Sequence, residues 1–91
     1  MSGSMDDVFE RMMHFQRTLR EFTEAFTGTV QEMQRRHDEV SPLWQDQFRR
    51  EYDVHWDVLQ REIDLFLNTR APQYDEFLTR KLRALANYLN Q

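Results

Sequence analysis

The chain has 91 residues, no cysteine and a formal net charge of −4, with 40% hydrophobic and 31% charged residues. That length holds one domain with a modest core, the lack of cysteine excludes disulfides and thiolate metal sites, and the acidic balance excludes the net basic footprint that nucleic-acid binding requires. Two glycines and two prolines exclude a turn-rich all-β fold, and no run of about 18 apolar residues exists to span a membrane.

In chain order, Ser2, Gly3 and Ser4 ahead of Met5 read as a cloning remnant, and residues 5–91 as a single helical domain. The start lacks the basic and apolar stretches of a signal peptide. The expected location is cytoplasmic, with export without a signal peptide left open. The first helix is predicted over about 6–38. Met5, Val8, Met12, Phe15, Leu19, Phe22, Phe26, Thr29 and Met33 recur three and four apart, a heptad seam. Phe9 and Val30 widen it towards a bundle-type stripe. Gly28 inside this helix implies a close neighbour or a bend. A helix of that length would span roughly 50 Å, so the molecule should be a rod.

Val40, Ser41 and Pro42 mark the first break. Ser41 is expected to cap a second helix over about 42–68, with Pro42 in its first turn. So short a connection forces the two helices antiparallel. Trp44, Phe48, Tyr52 and Trp56 lie four apart, followed by Leu59 and Ile63, which predicts an aromatic ridge. Its middle, Trp56 to Ile63, should pack on the Phe15–Phe26 part of the first helix, and Trp44 at the hairpin end is the candidate recognition residue. Asp46–Arg50 and Asp57–Arg61 have the spacing of surface ion pairs. The stretch 68–72, ending in Pro72, predicts a second break or a kink. Beyond it a third helix over about 72–90 would turn Tyr74, Phe77 or Leu78, Leu82, Leu85 and Leu89 inward. It either folds back or continues the second helix; a break is the favoured reading. The expected fold is all-α: an antiparallel helical hairpin with a third C-terminal helix, a three-helix rod that becomes four-helix-bundle-like as a dimer.

Chemistry is sparse. Glu10–His14 and Glu51–His55 each offer two groups one turn apart, whereas zinc needs three or four ligands and di-iron bundles use Glu-x-x-His. His55 should be a half-buried packing residue. The acids Asp53, Asp57 and Asp64 line a polar helix face, which supplies no cleft to separate their pKa values. No catalytic, metal or cofactor residue is assigned, and no enzyme activity is expected. The apolar stripes point instead to a non-enzymatic interaction or scaffold module that forms a homo-oligomer, a dimer in the first instance, or pairs with a helical partner. A metal-binding bundle is the lesser alternative. The candidate interface residues are Phe15, Leu19, Phe22, Phe26, Trp44, Phe48, Tyr52, Trp56, Leu82 and Leu89.

A helix, a short turn carrying Trp44, and a ladder through Phe48, Tyr52 and Trp56 together resemble the WXG100 (ESAT-6-like) family over about residues 6–67. The resemblance implies a cysteine-free helical hairpin that dimerises into a four-helix bundle, and a role as a type VII secretion substrate or effector chaperone. Asp46 stands where the family has glycine, and the tyrosine-based export signal near the C-terminus is missing, since Tyr52 is followed four residues on by Trp56 and Tyr74 by Leu78.

Overall fold

A computed structural model describes residues 2–91 as two long antiparallel helices, 67 × 17 × 15 Å overall. Helix α1 runs Ser2–Val40. A 3-10 turn, Ser41–Leu43, opens the connection. The second arm comprises α2, Arg49–Leu65, a π-helical turn, Phe66–Arg70, and α3, Ala71–Leu89. These segments form one continuous helix, so the hairpin has two arms and no third helix folds back. The radius of gyration is 20.1 Å, against about 12 Å for a compact domain of this length. A rod of two helices offers little interior, and among the described residues only Gln16, Ile63, Ala71 and Leu78 are buried.

Pro72 explains why the break became a bulge. A proline inside a helix has no N–H and its ring collides with the carbonyl four residues earlier. Here the helix widens just before it: the Ala71 N–H bonds to the Phe66 carbonyl, five residues back, which accommodates one extra residue without breaking the arm. Gly28 likewise bends nothing. Helix α1 continues through it, and a Cβ there would meet no atom within 4 Å.

The extra residue sets the register. Apart from half-buried Glu32, the more buried of the described positions in α1 are Met5, Phe9, Met12, Gln16, Leu19, Thr23, Phe26, Val30, Met33 and His37. They alternate four and three apart, as a coiled-coil seam should. This seam keeps Met5, Met12, Leu19, Phe26 and Met33 from the sequence-based stripe, but replaces Val8, Phe15, Phe22 and Thr29 by the residue that follows each. On the second arm the seam reads Asp53, Trp56, Gln60, Ile63 and Leu67, then Ala71, Asp75, Leu78, Leu82, Leu85 and Leu89. Across the bulge the alternation slips by one residue. Without the slip the seam would run on through Arg70, Tyr74, Phe77 and Lys81. With it, four leucines of α3 face α1, and Tyr74 and Phe77 stay exposed.

Ala71, small and buried, begins the segment whose backbone comes repeatedly within 8 Å of that of α1. Gln16 fixes the alignment, its amide donating to the Asp75 carbonyl at 3.2 Å and to Thr79 Oγ1 at 2.8 Å. A polar seam residue of this kind selects register. Beside it Arg20 makes a two-pronged pair with Asp75, 2.8 Å from Nε and 3.1 Å from Nη2. The hydrogen bond from Arg20 holds the Asp75 carboxyl below its ordinary range, partly opposed by burial. A carboxyl with a depressed folded pKa stabilises the fold above its unfolded pKa and loses that contribution as the pH falls through the folded value.

Two outcomes follow. Inserting one alanine after Thr69 would add a residue that the single wide turn does not absorb and carry Tyr74, Phe77 and Lys81 into the seam in place of Leu78, Leu82 and Leu85. Since each leucine re-exposed costs about 1.5–3 kcal/mol, urea unfolding should show a loss of about 3 kcal/mol or more; unchanged stability would contradict the register account. Second, the Tm of the native chain should fall on acidification below about pH 4 more steeply than that of Asp75→Asn, because the variant lacks the titrating carboxyl. Parallel acid profiles for the two would contradict it.

Candidate functional site: an exposed aromatic face

The one-residue slip sorts the side chains beside the seam into two unlike faces. On one side lie the residues just before alternate seam positions: Val8, Phe15 and Phe22 on α1, and Leu59, Phe66, Tyr74 and Tyr88 on the second arm. The rings meet across the hairpin. Phe15 packs edge-on against Tyr74 at 6.2 Å, and Phe22 and Phe26 both pack edge-on against Phe66, at 6.2 and 5.7 Å. Tyr74 continues to Phe77 at 5.8 Å, and Lys81 Nζ lies 5.5 Å above the Phe77 ring. Leu19, Phe66, Arg70, Tyr74 and Phe77 line a shallow apolar depression in this face. Phe15 and Phe22 are each more than half exposed, at 52% and 53%. Single exposed apolar residues are ordinary; here the exposed rings are contiguous. The opposite face carries Asp6, Arg20, Thr27, Arg50, Asp57, Asp64 and Thr79, with Met13 its one large apolar side chain on α1.

The hairpin end is a second, smaller aromatic cluster. His37 stacks on Trp56 with ring centroids 3.9 Å apart and planes 6° from parallel, and on Tyr52 at 5.5 Å. The Tyr52 hydroxyl and His37 Nδ1 share a hydrogen bond of 2.6 Å. Trp44 leans on Tyr52 at 4.8 Å. The connection below is held by polar groups. Asp46 Oδ1 accepts the Phe48 N–H at 2.9 Å and the Trp44 indole N–H at 2.6 Å. Arg49 pairs with Asp53 at 2.8 Å and donates to the carbonyls of Ser41 and Trp44 and to the Ser41 hydroxyl. The second helix therefore starts at Arg49 rather than Pro42; Asp46 closes the turn ahead of it, and the Ser41 oxygens serve Arg49 rather than a cap.

The predicted interface residues thus divide. Phe15 and Phe22 lie on the exposed aromatic face. Leu19, Phe26, Leu82 and Leu89 are half-buried in the seam. Trp44, Tyr52 and Trp56 belong to the cluster at the hairpin end, and Phe48 is exposed there beside Leu43. The predicted ridge is shorter than expected, because Trp44 and Phe48 precede the helix. Its packing differs as well: Trp56 meets His37, and Phe66 takes the place beside Phe22 and Phe26 that the Trp56–Ile63 stretch was expected to fill. His55 is exposed, and His37 is the histidine among the rings. Arg49–Asp53 forms in place of Asp46–Arg50, and Arg61 reaches the Asp57 carbonyl at 3.4 Å rather than its carboxylate. Tyr74 and Phe77, assigned inward from sequence, are the outward residues that sequence reasoning missed. The signal is that Tyr74 and Phe77 each stand one position before a seam residue, Asp75 and Leu78, once the turn ahead of Pro72 holds an extra residue.

Among the described residues no group of three or more His, Asp or Glu converges as metal ligands, and Glu10–His14 is an exposed pair at 3.9 Å. No helix is long and apolar enough to cross a membrane. The fold and surface together define an all-α helical hairpin with one aromatic and one polar broad face. No family model matches the chain, and neither a curated protein nor a solved structure is significantly similar to it.

Trp56→Ala should cost about 3 kcal/mol or more in urea unfolding, as aromatic truncations in packed sites do. Phe48→Ala, at an exposed site, should cost under about 0.5 kcal/mol. Equal losses at the two positions would contradict the described cluster.

Proposed function

We propose that this protein is a non-enzymatic helical interaction module that works by burying its aromatic face against another helical chain. The observation that carries the reading is the Phe15–Tyr74 and Phe22–Phe66 ring pairing on a surface that remains open. The thinness of the seam supports it. Gln16, Thr23 and His37 on α1, and Asp53, Gln60 and Asp75 on the second arm, interrupt the apolar run. The Gln60 side-chain nitrogen is enclosed without a hydrogen-bond partner. An interface that covers Phe15, Phe22 and Phe77 would add the apolar burial that the hairpin lacks, since each large side chain removed from water contributes about 1.5–3 kcal/mol.

One feature supports the resemblance to the WXG100 family, and it is a feature of form. Trp44 sits in the connection between two antiparallel helices, and its indole bonds to Asp46, the residue in the glycine position. Nothing beyond form is carried over, because the export signal is missing from the sequence.

Sedimentation equilibrium tests the reading. The chain, 11.2 kDa as a monomer, should associate reversibly at micromolar concentration, alone or with a helical partner. Phe22→Ser should weaken that association by about tenfold or more, as for an apolar residue central to an interface. Met13→Ser on the polar face should leave it unchanged. Association unaffected by Phe22→Ser would overturn the assignment of the face.

A further inference from the structure

We propose that the half of the aromatic face nearest the chain ends takes an acidic amphipathic helix of another protein, laid lengthwise in the groove between α1 and α3. The inference rests on the reading of that face as an interface, and it names the chemistry of the occupant.

The charges of this face are sorted along the rod. In the half between Phe22 and the chain ends, they are Arg11 on α1, one turn from Val8 and Phe15, and Arg70 and Lys81 on the second arm, one turn from Tyr74 and Phe77. No acid stands among them. In the half nearest the connection the face carries Glu32 and Arg36 on α1, and Glu62 and exposed His55 on α2. The remaining acids near the basic half point elsewhere. Asp7 and Glu21 lie on the outer edge of α1, Glu10 and Glu76 lie towards the polar face, and Asp75 is held by Arg20.

The three cations are not spent within the chain. Among the described residues, the ion pairs are those of His14, Arg20, Arg35, Arg36 and Arg49. Lys81 lies over the Phe77 ring, and Arg70 lines the apolar depression. Both charges therefore stand beside apolar rings, where an opposite charge from a partner is less screened than in open water.

The geometry matches a helix. Phe15 meets Tyr74, and Gln16 reaches Asp75 and Thr79, so Phe22 stands level with Arg70 and Arg11 with Lys81. Arg70 and Lys81 are three turns, roughly 16 Å, apart. The depression between these levels runs from Leu19 on α1 across to Phe66, Tyr74 and Phe77, and a partner helix would set its apolar ridge there. The residues flanking that ridge would then lie over Arg11 on one side and over Arg70 and Lys81 on the other. Acids in those positions meet a cation on both sides, and bases meet a like charge on both, which excludes a basic helix. A flat anionic lipid surface fits less well, because it would meet Glu32 and Glu62 on the same face and bridge the groove instead of filling it. Where copies of the chain cover one another's faces at raised concentration, the acidic helix competes with them for the same rings.

Two labelled helical peptides of about 18 residues test this by fluorescence anisotropy at low salt. Both carry a leucine ridge; one has glutamate on each flank of it, the other lysine. The native chain should bind the glutamate peptide about tenfold or more tighter than the lysine peptide, and R70E and K81E should each narrow that ratio about tenfold. The ratio is insensitive to any loss of fold, which lowers both affinities together. R17E, on the polar face, should leave it unchanged, and Phe22→Ser should weaken both peptides. Equal affinity for the two peptides, with Phe22→Ser weakening both, would overturn the acidic partner and leave the face as an interface. Binding to phosphatidylserine vesicles with neither peptide bound would overturn the proposal in favour of a lipid surface. If no probe binds while the chain associates with itself through Phe22, the proposal falls and the occupant is a second copy. Peptide binding indifferent to Phe22→Ser and to both charge reversals would overturn the assignment of the face itself.

Discussion

The hydrogen bond from the Ala71 N–H to the Phe66 carbonyl is the hinge on which the architecture turns. By spanning five residues instead of four it admits one extra residue into the second arm just ahead of Pro72. Everything beyond it is rotated relative to a straight α-helix. Leu78, Leu82, Leu85 and Leu89 reach the seam, Ala71 lets the backbones come close, and Asp75 and Thr79 arrive opposite Gln16. A proline that would ordinarily end a helix sets the register of a long one.

The same rotation creates the surface. Tyr74 and Phe77 are displaced from the seam and join Phe15, Phe22 and Phe66 in one aromatic strip. The molecule then has a sparse core and an apolar outer face, the distribution from which the proposed interaction role is argued. Polar groups are placed to keep the two faces distinct. Arg20 and Asp75 pair on the opposite side, and Arg49 and Asp46 tie the connection so that the arms leave it antiparallel. Large rings at His37, Tyr52 and Trp56 fill the hairpin end, while the α1 and α3 backbones come within 8 Å of each other further along.

Much of the fold was legible in the sequence. The heptad spacing of Met5, Met12, Leu19, Phe26 and Met33 gives the first helix and half of its seam, and Val40–Pro42 gives the turn. The rest was hidden for physical reasons. The stripe of α1 is wide enough that two seams, one through Phe15 and Phe22 and one through Gln16 and Thr23, fit its periodicity. Hydrophobicity selects the first. The structure adopts the second because Gln16 finds two acceptors on α3 and Thr23 is small enough for close approach beside Ala71. Periodicity also cannot distinguish a proline that ends a helix from one absorbed by a wider turn, so Tyr74 and Phe77 were placed inward. Of the candidate site, Phe15 and Phe22 were identified from spacing, but their partners on the second arm could be found only with the slip in place. Trp44 and Phe48 precede the second helix because Asp46 holds a turn around them and the Ser41 oxygens are taken by Arg49.

The central claim is that the aromatic face, and not the polar one, is covered by another chain. Hydroxyl-radical footprinting of the native protein over a concentration series addresses this side chain by side chain. Phe22, Tyr74 and Phe77 should become protected as concentration rises, while Met13 on the polar face and Val54 on the outer surface stay labelled. Labelling of all five that is independent of concentration, or protection of Met13 in place of Phe22, would contradict the account.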